Sequence, residues 1–328
     1  MEEKTYDLTR PRHDFSLICF AFVVLLVVEV LAQLVMIALE PLIFGQAELP
    51  GWWLWVSSSV PLYAVAVPVY GLLLKLGLPA QAPQRQKLSR KEFLTLLPIC
   101  CCLMYGGNLV GTWLSLLLSN GQAVNAVAEL AMDQSPLKIL VMVILAPLME
   151  ELICRKLLLD RIGRYGEKLA VLVSGLVFGL LHQNLYQFFY AFALGSVFAY
   201  VYLRTGKLRY PVIFHGIINF MGSVLAPFVT SLVDMETIEK LAAGEQLNVE
   251  LLASVLPGYL VLILYALILM GLSILGLILL LIKFPTTLWK PATDQLPRKL
   301  GLKAFFLNAG MIVYTLICLA MMVVSLLP

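Results

Sequence analysis

Two adjacent glutamates, Glu150 and Glu151, lie in the stretch APLMEELICRK, which otherwise has the composition of a membrane span. An ionised side chain in the hydrocarbon region of a bilayer costs at least about 2.5–3.5 kcal/mol. Glu151 and Arg155 are spaced i, i+4, so on a helix they share a face and can form an ion pair. Glu150 is rotated by about 100° from Glu151, which leaves it without a cation on its own helix. The spacing predicts a supporting ion pair beside a second carboxylate that is free for chemistry.

Two of the three histidines also lie in apolar segments. His182 follows Phe178 by four residues and His215 precedes Asn219 by four, so each pair shares a helix face. Pro147, one turn before the acids, lacks a backbone N–H and disfavours regular helix there. Each group taken alone is also explained by a structural role, as an interhelical hydrogen bond or ion pair. Acid or imidazole groups on three separate segments favour a shared site.

The chemistry that suits this set of side chains is hydrolysis. A buried carboxylate such as Glu150 can take a proton from water. An imidazole N–H and an amide can stabilise the oxyanion of a tetrahedral intermediate. Glu150, His182 and His215 could also serve as three zinc ligands, with water in the fourth position. The sequence contains no HExxH motif, so a metal site would be assembled across helices. Spacing does not separate the glutamate mechanism from the zinc mechanism.

The composition of the chain indicates that these segments lie in a membrane. Of the 328 residues, 61% are hydrophobic and 13% are charged, whereas about a quarter are charged in soluble domains. The mean hydropathy is +0.91. The net charge of +3 is small and scattered, which argues against nucleic acid as a partner. The six cysteines have no zinc-finger or CxxC spacing. We therefore predict an all-α, polytopic bundle of helices in the lipid bilayer.

About twenty apolar residues cross a bilayer, which predicts nine transmembrane spans, with eight as the alternative count. The spans are 15–39, 53–75, 93–118, 138–159, 169–185, 187–204, 210–229, 257–282 and 304–327. Lysine and arginine are concentrated in alternate loops, so we expect a cytoplasmic N-terminus and an external C-terminus in the plasma membrane. With a rise of about 1.5 Å per residue, these limits place Glu150, His182 and His215 at depths that differ by about 10 Å.

Three short motifs follow one another on successive predicted spans. They are Glu150-Glu151-x-x-x-Arg155, Phe178-x-x-x-His182 and His215-x-x-x-Asn219. In this order they resemble the motifs of the CPBP intramembrane proteases, the CAAX-protease and bacteriocin-processing proteins of the Abi group. The resemblance covers roughly residues 137 to 228, somewhat under a third of the chain. It implies an α-helical membrane endopeptidase whose active site lies in a cavity within the bilayer.

The resemblance also assigns roles to individual residues. It implies that Glu150 activates the water, with His182 also at the site, and that His215 and Asn219 form the oxyanion-stabilising pair. The supporting positions are Glu151, Arg155 and Phe178. The structurally characterised CAAX member of this family looks glutamate-dependent, so we favour a glutamate mechanism without a cofactor. Zinc held by Glu150, His182 and His215 is the alternative.

The resemblance divides the chain into three parts. Residues 1–136 would hold a cytoplasmic tail and three spans, 137–229 the CPBP-type catalytic core, and 230–328 an external loop and the last two spans. The expected partners are the lipid bilayer and a peptide or membrane-protein substrate. The alternative function is that of a non-catalytic membrane regulator that binds a sensor kinase or another membrane protein. A proton-coupled transporter is disfavoured, because the sequence shows no internal repeat.

Overall fold

The computed structural model describes residues 6–234, 237 and 249–327. The described residues form helices and no strand, which confirms the all-α prediction. The helices are α1 (Thr9–Phe44), α2 (Gly51–Gly77), α3 (Arg90–Leu118), α4 (Ala126–Met132), α5 (139–162), α6 (Glu167–Leu181), α7 (Leu185–Thr205), α8 (Arg209–Ser231), α9 (Val249–Thr286), α10 (Arg298–Phe306) and α11 (Ala309–Val324). The predicted external loop falls largely on 235–236 and 238–248, outside the described residues.

The structure contains several helices that can cross a membrane. Six of the described helices, α1, α2, α3, α7, α8 and α9, are long and apolar enough, and α10 with α11 would add a seventh, bent by 64°. The chain is therefore a multi-pass membrane protein, but the count of nine spans is not confirmed. The helix α6 has only 15 residues, short of the roughly 20 that cross a bilayer. The helix α5 contains six charged residues, which are Glu150, Glu151, Arg155, Lys156, Asp160 and Arg161.

Polar residues outside the apolar runs set where the helices begin and end. At the start of α3, the Ser89 hydroxyl accepts the Glu92 N–H at 3.2 Å and the Glu92 carboxylate accepts the Ser89 N–H at 3.0 Å, which is a capping box. The Asn184 side chain caps α7. Just before it, Gln183 adopts φ +55°, a left-handed conformation that side chains other than glycine rarely take. This tight reversal leaves His182 at the C-terminal end of α6.

One hydrophobic core joins helices from all three parts of the chain. Phe22 of α1, Tyr70 of α2, Leu158 of α5, Val177 of α6 and Tyr314 of α11 are all fully buried in it. The Tyr314 hydroxyl also donates to the Val177 carbonyl at 3.1 Å. A smaller core lies between α3, α7 and α8. The acid-bearing helix α5 is therefore supported by the first and last helices of the bundle, while the three-part division of the chain stays a prediction.

Helices α6 and α7 approach each other at two glycines that share a face with His182. A Cβ atom added at Gly175 would lie 2.8 Å from the Phe192 carbonyl oxygen, and one added at Gly179 would lie 3.0 Å from the Phe188 carbonyl oxygen. Backbone atoms cannot move aside as flexible side-chain ends can. The close contact therefore needs glycine at both positions.

We expect Gly175→Ala to lower the thermal stability of the protein in detergent. The added methyl group would force α6 and α7 apart, and overpacking of this kind typically costs about 1–3 kcal/mol. The matched control is Gly271→Ala in α9, where a Cβ would meet no described atom within 4 Å. Thermal unfolding should show a lower midpoint for the first variant and an unchanged or higher midpoint for the control. Equal midpoints would contradict the close packing of α6 on α7.

Candidate active site

The helix α5 is wound irregularly around its two acids. It consists of π-helical Ile139–Leu145, α-helical Ala146–Glu151, π-helical Leu152–Leu157 and α-helical Leu158–Ile162. The Ala146 N–H donates to the Val141 carbonyl, as expected for i→i+5 bonding. In that register the Met142 carbonyl would need an N–H from Pro147, which has none. The predicted irregularity before the acids is confirmed, and π turns of this kind are frequent at functional sites.

A side chain from another helix takes the place of the missing backbone donor. Asn219 of α8 donates from Nδ2 to the Met142 carbonyl oxygen at 2.8 Å. This bond fixes α8 against α5 directly before the acids. A carboxamide has two N–H donors, so one is used here and the second is the one that an oxyanion-binding role would require.

We expect Asn219→Leu to destabilise the protein by about 1–3 kcal/mol, the cost of leaving a partly buried carbonyl without a donor. The matched control is Asn108→Leu, because Asn108 of α3 is exposed on the outside of the bundle. Thermal unfolding of both variants in the same detergent measures the difference. If Asn219→Leu were as stable as Asn108→Leu, the hydrogen bond to the Met142 carbonyl would make no contribution to stability.

Glu151 and Arg155 form the predicted ion pair in the interior of the bundle. Arg155 Nε lies 2.7 Å from Glu151 Oε2, and neither side chain is exposed. Arg155 also donates to the Ser174 hydroxyl at 2.8 Å, and its guanidinium lies 4.7 Å from the Phe178 ring centroid. On the other side, Glu151 Oε1 is 3.0 Å from His215 Nδ1. Glu151 therefore connects the buried cation to the imidazole.

This connection orients His215 towards Glu150. An ionised carboxylate can only accept hydrogen bonds, so the proton on Nδ1 is directed to Glu151 and Nε2 points elsewhere. His215 Nε2 lies 3.8 Å from Glu150 Oε2. Glu150 Oε1 accepts a hydrogen bond from the Tyr63 hydroxyl at 3.4 Å. Glu150 Oε2 is buried and has no hydrogen-bond partner within the part of the chain that the structure describes. Glu150 is thus a carboxylate with unused hydrogen-bonding capacity.

Phe178 lies beside both imidazoles. Its ring centroid is 4.8 Å from that of His182 and 5.7 Å from that of His215, edge-on in both cases. His182 Nδ1 donates to the Phe178 carbonyl at 2.8 Å, which leaves Nε2 free to face the site. His182 also interacts electrostatically with Glu150. The structure therefore brings the acids, the arginine, the phenylalanine and the two histidines of the motifs together, while Asn219 contacts the backbone of α5 at Met142.

The predicted depth offset of about 10 Å between Glu150 and His215 is wrong, since their side chains are 3.8 Å apart. That offset rested on a regular α-helical rise. The helix α5 contains π turns on both sides of the acids, whose i→i+5 bonds change the rise and rotation per residue.

Three further side chains belong to the site although no sequence motif marked them. Tyr63 of α2 contacts Glu150, and Ser174 of α6 binds Arg155. Phe198 of α7 stacks on His215, with centroids 5.5 Å apart and planes inclined by 26°. In the sequence, Tyr63 and Ser174 stand out only as polar side chains inside apolar segments. Their partners could not be predicted, because these contacts form between helices.

The zinc alternative concerns the side chains of Glu150, His182 and His215. Among the described residues there is no group of three or more His, Cys, Asp or Glu side chains that could hold a metal ion. His215 presents Nδ1 to Glu151, and His182 presents Nδ1 to the Phe178 carbonyl. The choice between the glutamate mechanism and the zinc mechanism stays a prediction.

Comparison with known proteins adds an independent observation. Residues 133–221 match the family described as "Type II CAAX prenyl endopeptidase Rce1-like". Over 88 residues the chain is 35% identical to "Putative membrane peptidase YdiL" of Bacillus subtilis (strain 168). This match covers 26% of the chain and 35% of that protein, so it spans about a third of the relative's length. No solved structure matches the chain. Both matches agree with the three ordered motifs, and they support a similarity of residues 133–221 to the CPBP membrane peptidases.

Proposed function

We propose that this chain is an intramembrane endopeptidase that hydrolyses a peptide bond in a peptide or membrane-protein substrate. The observation that carries the proposal is the environment of Glu150. Its Oε2 atom is buried, has no hydrogen-bond partner among the described residues, and lies 3.8 Å from an imidazole nitrogen. The family match to peptidases supports the reaction class.

In the proposed reaction Glu150 acts as the general base. Its carboxylate takes a proton from a water molecule held between it and His182, and the resulting hydroxide attacks the carbonyl carbon of the scissile bond. A new C–O bond forms while the carbonyl electron pair moves to the oxygen. Glu150 then gives its proton to the amide nitrogen, the C–N bond breaks, and a carboxylic acid and an amine leave. Glu150 is then an ionised carboxylate again.

The negative charge on the tetrahedral intermediate needs hydrogen-bond donors placed in advance. We assign this role to His215 and to the second N–H of Asn219. Because the Nδ1 proton of His215 is directed to Glu151, donation through Nε2 requires the imidazolium form. Glu151 and Arg155 hold that ring in place, so we treat them as positioning residues.

The substrate needs access to this site from the bilayer. An apolar groove of about 440 Å³ lies between α5 and α8. Its lining includes Leu148, two residues before Glu150, and Gly216, the residue after His215. We propose that apolar side chains next to the scissile bond occupy this groove, which would bring the bond within reach of the acids.

The experiment that tests the function compares peptides in membranes of cells that carry the wild type or Glu150→Gln. Fragments released by the wild type and missing in the variant would identify both the activity and the substrate. The control is Glu129→Gln, since Glu129 lies on α4 and is exposed. Identical peptide sets for the wild type and Glu150→Gln would refute the peptidase proposal. If a wild-type phenotype persisted in Glu150→Gln, the regulator function would be favoured.

We also infer the orientation of the chain from its charges. Lysine and arginine alternate with acidic residues along the loops, so the positive-inside rule places the N-terminus in the cytoplasm and the C-terminus outside the cell. Reporter fusions at the two ends test this orientation. An external N-terminus would contradict it.

A further inference from the structure

A second cavity lies apart from the candidate active site, between α3, α7 and α9. Its volume is about 500 Å³, within the range of about 300–1,000 Å³ that ligand sites occupy. Its interior is lined by apolar side chains. They include Ile99 and Leu103 of α3, Ala193 and Val197 of α7, and Leu280 of α9. None of the residues assigned to hydrolysis lines it.

The mouth of this cavity is rich in cations. Lys87, Arg204, Lys283 and Lys290 line it together with one carboxylate, Glu92. The side chains of Lys87, Lys283 and Lys290 are exposed. The cavity therefore has an excess of positive charge at one end and hydrocarbon at the other.

Half of the cations at the mouth are not neutralised by residues that the structure describes. Arg204 is paired with Glu167 at 2.9 Å, and Glu92 caps α3 while it interacts electrostatically with Lys283. Lys87 and Lys290 form no salt bridge with any residue that the structure describes. Arg204 Nε is also buried without a hydrogen-bond partner among those residues. Cations and an unused hydrogen-bond donor at the mouth of an apolar cavity favour a ligand that has an anionic group and a hydrocarbon chain.

Aromatic side chains mark the mouth as lying at the level of the membrane surface. Trp289 and Tyr200 both line the cavity, and their ring centroids are 6.0 Å apart. Tryptophan and tyrosine are enriched where hydrocarbon meets water. The headgroup of a lipid that enters the cavity from the bilayer would therefore lie at the mouth.

We propose that this cavity binds an anionic phospholipid, with the headgroup phosphate at the lysines and one acyl chain in the apolar interior. Basic pockets between transmembrane helices bind anionic headgroups, and the interior removes the chain from water and from neighbouring lipids. A zwitterionic lipid carries a cation of its own, which the lysines would repel. The site therefore selects for headgroup charge, and it does so independently of the peptidase proposal.

Native mass spectrometry of the full-length protein tests this proposal. The protein is mixed in detergent with equal amounts of phosphatidylglycerol and phosphatidylcholine, and the lipid retained on the folded protein is measured. We expect phosphatidylglycerol to be retained in preference. Lys87→Gln and Lys290→Gln should each lower that preference about fivefold, the effect typical of one cation near an anionic lipid surface. Lys299→Gln is the matched control, because Lys299 is exposed on α10 and does not line the cavity.

Two further measurements separate the headgroup from the chain. Ala193→Trp would fill the apolar interior and should abolish retention of both lipids while the protein stays folded. Glycerol 3-phosphate has the phosphate without the chains and is expected not to bind. Equal retention of the two lipids by the wild type, or loss of preference in Lys299→Gln alone, would overturn the proposal. Tight binding of glycerol 3-phosphate would overturn the role of the apolar interior.

Discussion

Purified Glu150→Gln is expected to cleave the substrate about 10²–10⁴ times more slowly than the wild type, the range that positioned acid–base groups contribute. Glutamine has nearly the same shape as glutamate, but its amide cannot take a proton from water. The substitution therefore removes the general base and leaves the size of the side chain nearly unchanged. Initial rates on the substrate identified by the membrane peptide comparison, at equal protein concentrations in detergent, measure the effect.

This loss of rate should not be accompanied by a loss of stability. Glu150 Oε2 has no hydrogen-bond partner among the described residues, and the one contact of Oε1, with Tyr63, is long at 3.4 Å. We expect the thermal midpoint of Glu150→Gln to equal or exceed that of the wild type. The exposed Glu129→Gln should retain the full rate. A Glu150→Gln variant with wild-type rates would exclude this carboxylate as the base.

The second large effect concerns Arg155. We expect Arg155→Met to lower the free energy of unfolding by about 3–5 kcal/mol, the cost of leaving one partner of a buried ion pair without the other. Glu151 would be left as an uncompensated carboxylate with no exposure to water. Equilibrium unfolding in mixed detergent measures the difference. The matched control is Arg164→Met, whose ion pair with Asp294 is partly exposed and should contribute no more than about 1 kcal/mol.

A double variant separates charge from packing. Glu151→Gln combined with Arg155→Met removes both buried charges, and replacement of a buried pair by uncharged groups is often neutral or stabilising. We therefore expect it to be more stable than Arg155→Met alone. Its activity should stay low, because His215 would lose the carboxylate that orients it. A double variant no more stable than Arg155→Met would contradict the account of Glu151 as a buried charge.

The sequence predicted those contacts that lie within one helix. The spacing of Glu151 and Arg155 predicted an ion pair, which is present. The spacing of Phe178 and His182 predicted that they share a helix face, and their rings are in contact. Helical periodicity fixes such pairs because it determines which residues share a face. The lack of a cation for Glu150 on its own helix followed from the same rule.

Contacts between helices could not be predicted in this way. Tyr63, Ser174 and Phe198 reach the site from α2, α6 and α7, and the register between helices depends on packing that spacing does not determine. The depth estimate failed for a related reason, because it assumed uniform helices where π turns occur. The predicted count of nine spans included α5 and α6. The helix α6 is short for a span, and α5 carries several charged residues.

The bond between Asn219 and the Met142 carbonyl has a consequence for how a substrate would enter. The groove lies between α5 and α8, and this bond joins the same two helices. A substrate that wedges between them would lengthen this bond. Under the proposed function, the released first N–H of Asn219 would then add to the donation that the second N–H provides in the closed groove, so that opening of the groove would strengthen the oxyanion site.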